Sequence, residues 1–259
     1  MRRAAHQILD TPKVLDDPLA TRILGDAQPW LGQDPFSRSM RAFMAVRSRY
    51  AEDQLAAAVA DGVRQYVVLG AGLDTFAYRN PFSHVEVFEV DHPATQAWKR
   101  DRLNAAGIGL AGRLVPVDFE TQALDSELCG AGFDTAKAAF FSWLGVVPYL
   151  TREAFEGTLR FIAAMPAGSG VAFDFAIDRA CLSFMERMAL DALARRVAAA
   201  GEPFQLFFHP QALDAELERI GLSRVERLDQ GQINARYFAG REDGLHIRGG
   251  LGQLATAWV

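Results

Sequence analysis

The sequence predicts an α/β fold: a mainly parallel seven-stranded sheet with an antiparallel last strand and an N-terminal helical cap. Three observations predict it. Short apolar runs rich in β-branched and aromatic residues recur at 66–69, 85–90, 113–117, 135–142, 170–175, 224–228 and 236–239. Stretches of helical spacing separate most of them, as expected for parallel strands joined by helical crossovers. The last two runs are separated only by residues 229–235, too few for a crossover, so they are expected to pair antiparallel.

The elements follow in order. Residues 1–36 are interrupted by Pro12, Pro18, Pro29 and Pro35 and are expected to form short helices and turns. Residues 37–61 read as one long helix that Ser37 or Ser39 can cap. Together 1–61 form the expected cap or lid, and 62–259 the α/β core of a single domain. Pro93 suits the first turn of a helix running to 106. Thr151 can cap a helix whose Phe155, Leu159 and Ile162 share a face, and Pro166 with Gly168 ends it. Residues 178–200 read as a longer helix with Phe184, Met185 and Met188 on its apolar face, and 211–220 as a shorter one stopped by Gly221.

Half of the 259 residues are apolar, enough for one large core. The net charge of −5, with no block of like charges, argues against nucleic acid or an anionic membrane as partner. Cys129 and Cys181 lie far apart without a neighbouring His, so neither a disulfide framework nor a metal site is expected, and the cytoplasm is the expected setting. Asp10, Lys13, Asp16 and Asp17 follow Arg2 and Arg3 and interrupt any signal-peptide core. No run approaches the ~18–20 apolar residues of a membrane span.

The chemistry concentrates where the run 66–69 breaks into Gly70–Ala71–Gly72–Leu73–Asp74–Thr75, followed by a second run that ends on Asp91. Glycines let the backbone approach a ligand, and a carboxylate at the tip of the next strand accepts from ribose hydroxyls. Asp91 lies 21 positions after Gly70, close to the ~20 of a nucleoside site. Glu89 shares its strand face and competes for the role, but His92–Pro93 places Asp91 at the strand's tip. A dinucleotide fingerprint would have a third glycine at position 75, where this chain has Thr75. Asp74 would repel a pyrophosphate but could receive the ammonium of an amino-acid moiety, which favours S-adenosylmethionine over NAD. Within the helix 37–61, Arg47 lies on the stripe formed by Met40, Phe43, Met44 and Tyr50. A guanidinium on an apolar face needs an anion: a structural acid such as Asp74, or the carboxylate of a cofactor or substrate.

Taken together these residues resemble the leucine carboxyl methyltransferase family of S-adenosylmethionine-dependent enzymes, in particular its bacterial small-molecule O-methyltransferase branch. The resemblance runs through Ala4–Ala5–His6–Gln7, Asp17–Pro18–Leu19–Ala20, Val46–Arg47–Ser48–Arg49–Tyr50, the glycine turn and Phe88–Glu89–Val90–Asp91–His92–Pro93. Later matches are Val117–Asp118–Phe119, Val147–Pro148–Tyr149–Leu150 and Ala235–Arg236–Tyr237–Phe238. It implies a class I methyltransferase (Rossmann-like) fold. It also implies that Arg47 meets a carboxylate near the methyl donor, and that Gly70, Ala71 and Gly72 form the cofactor loop. Asp91 would be the ribose acid with His92 beside it, while Asp118 and Phe119 bracket adenine. Read from the residues alone, Asp118 could instead cap a helix over 120–128.

Two departures stand out. Many relatives have Glu-Gly where this chain has Leu144–Gly145, and Phe76 replaces a common arginine. The expected activity is O-methylation, at a carboxylate or hydroxyl, of a small-molecule acceptor, and a homo-oligomer is compatible with the sequence. Tyr149, His209 and Tyr237 are the candidate catalytic pocket residues, although a packed or capping histidine is the more ordinary reading of His209. Phe204, Phe207 and Phe208 could line an apolar pocket or belong to the core. The alternatives are an NAD(P)-dependent oxidoreductase, disfavoured by Asp74 and Thr75, and a non-catalytic cofactor-binding protein, suggested by Leu144.

Overall fold

The computed structural model describes residues 1–25, 31–118, 122–199 and 201–259; Pro29, Phe119 and Ala200 lie outside them. Its centre is one sheet of seven strands: β1 (Gln65–Leu69), β2 (Glu86–Asp91), β3 (Arg113–Pro116), β4 (Ala139–Trp143), β5 (Gly170–Ala176), β6 (Arg224–Leu228) and β7 (Gly252–Trp258). Their order is β3-β2-β1-β4-β5-β7-β6. The first five strands are mutually parallel, and β7 runs antiparallel to both β5 and β6. Leu69, the last residue of β1, sits between Val90 and Trp143, where the strand order reverses. In open α/β sheets, ligands bind in the crevice at the carboxyl ends of the strands at such a switch point.

Helices α1 (Arg2–Leu9), α2 (Leu19–Arg22) and α3 (Pro35–Ala60) precede the sheet. The long α3 begins earlier than expected. Asp34, rather than Ser37 or Ser39, accepts from the Ser37 N–H, and Pro35 fills the first turn. Helix α4 (Pro93–Ala105) follows β2 and is capped by His92, whose ring nitrogen accepts from the Ala94 N–H. Helix α5 (Leu124–Gly130) starts after Ala123, so Asp118 does not cap it. Helix α6 (Arg152–Ala163) is capped by Thr151 as expected and buries Phe155, Leu159 and Ile162. Helix α7 (Phe184–Ala199) starts six residues later than the sequence suggests, because Arg179–Cys181 form a separate 3-10 turn. Phe184, Met185 and Met188 are not its core-facing side: they are 67%, 72% and 56% exposed, and Leu190 is its buried anchor. Helix α8 (Pro210–Ile220) ends on Gly221 at φ 111°, a left-handed cap that glycine adopts without strain.

The expected strand at 236–239 is the chief correction. Residues Gln230–Tyr237 form helix α9, held by a capping box in which the Asp229 carboxylate accepts from the Gln232 N–H and Gln232 returns a bond to the Asp229 N–H. The antiparallel partner of β6 is β7 instead, inserted between β5 and β6. Buried on both faces, β7 carries Leu254, Ala255, Thr256 and Ala257 without apolar–polar alternation.

The core lies on both faces of the sheet. On one face, Phe141, Phe155, Phe173 and Phe208 pack under α6 and α8, with Trp143 stacked on Phe155 at 5.7 Å. On the other, Tyr50 and Leu55 of α3 meet Val68, Phe140 and Leu254. Each such fully buried side chain contributes roughly 1.5–3 kcal/mol, so this packing fixes α3, and with it Arg47, against the sheet.

Candidate functional site

The glycine turn opens at the end of β1. Gly70 and Gly72 adopt φ 68° and 44°, which side chains rarely tolerate. A Cβ on Gly70 would stand 2.3 Å from the Val146 side chain, so glycine here also lets the loop after β4 close on the turn. A Cβ on Gly72 would meet nothing within 4 Å, so this is the open side from which a ligand can reach the backbone. The N–H groups of Gly70 and Ala71 both donate to the Val90 carbonyl. Asp91 ends β2 in the same crevice. Its carboxylate accepts from the Gly72 N–H at 2.6 Å and the His92 N–H at 2.7 Å, which fixes it with further lone pairs to offer. Next along the edge, the Val117 N–H donates to the Asp91 carbonyl, and the Asp118 N–H donates to the Gln122 side chain. Phe119 is outside the described residues.

Asp74 is positioned from a distance. Arg3 of α1 donates to its carboxylate at 2.6 Å and to the Leu73 carbonyl at 3.2 Å. The Asp74 carboxylate also accepts from the Phe76 N–H, and Thr75 donates to buried Asp17 at 2.7 Å. Arg79 carries the network to Glu52 of α3. Burial alone would raise the Asp74 pKa, but Arg3, Lys99, Arg79 and the Phe76 N–H outweigh it and hold it down to about 2. Asp74 is therefore engaged by Arg3, a pairing that no local pattern in the sequence announces. Glu89, the competitor of Asp91, is fully buried and ion-paired with Lys99 at 2.7 Å, so it is part of the core beneath α4.

Arg47 reaches a different acid from the one considered in the sequence. Its guanidinium donates to Asp174 of β5 at 3.1 Å, and Asp174 also accepts from the Gly145 N–H at 2.5 Å. A Cβ on Gly145 would lie 2.7 Å from the guanidinium, so this glycine makes room for the arginine. Asp174 went unnoticed in the sequence. Its one signal is that it stands as a lone acid in an otherwise apolar buried strand. Leu144, the residue before Gly145, is partly buried and packs against the core.

Arg47, Gly145 and Asp174 line a cavity of about 610 Å³, within the range of small-molecule sites. Tyr149 lines it too, with Phe204 against its ring at 5.2 Å. Met40, Phe43 and Met44 of α3 and Leu190 and Leu193 of α7 supply apolar walls. Burial and the charge of Glu202 push the Tyr149 phenol up. The other two candidates lie elsewhere. His209 is exposed at the start of α8, and its side chain makes no capping bond. Tyr237 donates to Asp53 at 3.1 Å in a separate surface cleft. Of the pocket aromatics, Phe204 lines the cavity while Phe208 belongs to the core.

The sheet order, the glycine turn at the switch point and the acid at the tip of β2 are the parts expected of a nucleoside site. The sheet order is that of a class I methyltransferase fold. The family model for leucine carboxyl methyltransferases matches residues 1–163, and the chain belongs to that family. Its relatives include YktD of Bacillus subtilis (strain 168), named an S-adenosyl-L-methionine-dependent methyltransferase. It is 32% identical over 279 residues, covering 94% of this chain and 90% of YktD. A Saccharopolyspora erythraea protein of the same designation is 31% identical, covering 95% of this chain and 88% of its own. Among solved structures, a DUF574 family protein from Streptomyces avermitilis superposes with TM-score 0.54 at 20% identity, covering 86% and 84% of the two chains. Magnesium protoporphyrin IX methyltransferase from Synechocystis, solved with bound SAH, gives 0.52 at 13% identity over 92% and 91%. Those two likenesses show the fold. The cofactor is S-adenosylmethionine.

Proposed function

We propose that the protein O-methylates a small molecule at a carboxylate. The observation that carries this reading is the protonation chemistry of the cavity. A hydroxyl acceptor needs a base in reach, whereas a carboxylate arrives already ionised. Among the described lining residues there is no histidine. Asp174 is engaged by Arg47 and Gly145, and Glu186 accepts from the Gly250 N–H and from Ser183. The Tyr149 phenol, pushed up by burial, keeps its proton at neutral pH.

On this reading Asp91 would accept from ribose hydroxyls and Asp118 from the adenine amine, with the Gly70–Gly72 backbone close to the cofactor. Arg47 would exchange Asp174 for a carboxylate of the cofactor's amino-acid part or of the acceptor. S-adenosylmethionine supplies a methyl group on a good leaving group, so the chain's task is alignment and exclusion of water. Residues 1–61 act as the cap over the 62–259 core, since Arg3 of α1 grips the glycine turn and Arg47 of α3 meets β5.

The test is incubation with methyl-labelled S-adenosylmethionine and matched panels of small carboxylic acids and their alcohol analogues. Label is expected in the acids, released as methanol by mild alkali, as from an ester. Alkali-stable label in the alcohols would overturn the carboxylate reading.

A further inference from the structure

The cavity has a second charged end. Its α3 wall runs from Phe36 through Met40 and Phe43 to Arg47, three turns or about 16 Å of helix. Arg47 and Asp174 occupy one end. Arg2, the first residue of α1, lines the cavity as well. Asp34 and Arg41 are among the charges that act on it, which places it towards the N-terminal end of α3, away from Arg47. Arg196 of α7 also lines the cavity and acts on Arg2 as a like charge.

Arg2 is in an unusual state. Its Nη1 is shut off from solvent and, among the described residues, has no hydrogen-bond partner. Asp34 acts only over distance, since its side chain is committed to the α3 cap. Burial and the neighbouring Arg196 both pull the Arg2 pKa down, the direction expected for a cation lacking an anion. A buried guanidinium nitrogen that lacks an acceptor is unfavourable unless an anion satisfies it. Among the described residues, Arg2, Arg47 and Arg248 line the cavity against Asp174 and Glu186, and both of those acids are already engaged. Met40, Phe43, Met44, Leu190 and Leu193 supply apolar surface between the two ends.

We infer that Arg2 anchors an oxyanion at the end of the acceptor remote from the methylated oxygen. The acceptor is then an elongated amphipathic acid: an apolar body between the methylated carboxylate and a terminal carboxylate or phosphate. The inference rests on the proposed reading of this cavity as the acceptor site.

Calorimetry on the protein saturated with S-adenosylhomocysteine tests it, with decanoate, sebacate and ω-phosphooxydecanoate as probes of one length. Sebacate or the phosphate is expected to bind about tenfold or more tighter than decanoate, and the tighter of the two identifies the anion. Arg2→Gln should erase that preference while leaving decanoate and S-adenosylhomocysteine affinities unchanged, which shows that the variant is folded. Arg2→Lys should keep part of it. Equal binding of sebacate, phosphate and decanoate to the wild type, a preference that survives Arg2→Gln, or no binding of any probe would overturn the anchor. Arg2-dependent binding without methyl-ester formation would count for the anchor and against carboxyl methylation, so the two readings fail separately.

Discussion

Replacing Arg3 by Gln removes the cation in contact with Asp74 while keeping a long polar side chain. Asp74 is held at about 2, against an ordinary value of 3.8. That difference corresponds to about 2.5 kcal/mol of preference for the ionised carboxylate in the folded state. Arg79 and Lys99 also contribute, but among the described residues Arg3 alone forms an ion pair with Asp74, with both side chains less than a fifth exposed. Its loss should cost about 2 kcal/mol in urea unfolding at pH 7, and lower Tm by about 4–8 °C for a chain of this size. The sign follows from the depressed pKa. The pair's contribution is complete above the unfolded value near 4 and is lost as pH falls through about 2. The gap between wild type and variant should therefore shrink to roughly half by pH 3. Adding Asp74→Asn to the variant should recover most of the loss at pH 7, because it removes the uncompensated carboxylate. A gap below about 0.5 kcal/mol at pH 7, or one unchanged at pH 3, would refute the reasoning.

Gly70→Ala places a methyl 2.3 Å from Val146 at φ 68°; it should destabilise the fold and abolish S-adenosylhomocysteine binding, both read by thermal shift with and without ligand. Lys99→Met strands Glu89, whose pKa burial already raises, and should cost about 3–5 kcal/mol in chemical unfolding at pH 8. Because the stranded carboxyl folds best when protonated, that cost should fall at pH 5. His209→Ala, at an exposed position outside the cavity, should leave the rate and pH profile of methyl transfer unchanged in the labelled-methyl assay.

What the sequence revealed were features written locally. Residues 66–69 and 85–90 are apolar strands ending in glycine and Asp91, and the structure places both ends in one crevice. Thr151 and Gly221 act as the caps their residue types suggest. The strand at 236–239 misled because Tyr237 and Phe238 look β-forming, while the Asp229–Gln232 capping box ahead of them was the stronger signal. Strand β7 escaped notice because burial on both faces removes the alternation by which strands are recognised. The pairs that shape the site join residues 71 and 127 positions apart, Arg3 with Asp74 and Arg47 with Asp174. No spacing rule reaches that far. Arg2 drew no functional reading in the sequence, since a cation near the N-terminus is ordinary until a cavity forms around it.

The central claim is that the crevice at the ends of β1 and β2 holds S-adenosylmethionine through Asp91. The most direct measurement is a calorimetric titration of S-adenosylhomocysteine into the wild type and into Asp91→Ala. The wild type is expected to bind, and the variant to bind more weakly by about 1–3 kcal/mol, from the loss of charge-assisted hydrogen bonds to the ribose. Equal affinities would contradict the role of Asp91. A wild type that ignores S-adenosylhomocysteine but binds NADH tightly would contradict the cofactor itself.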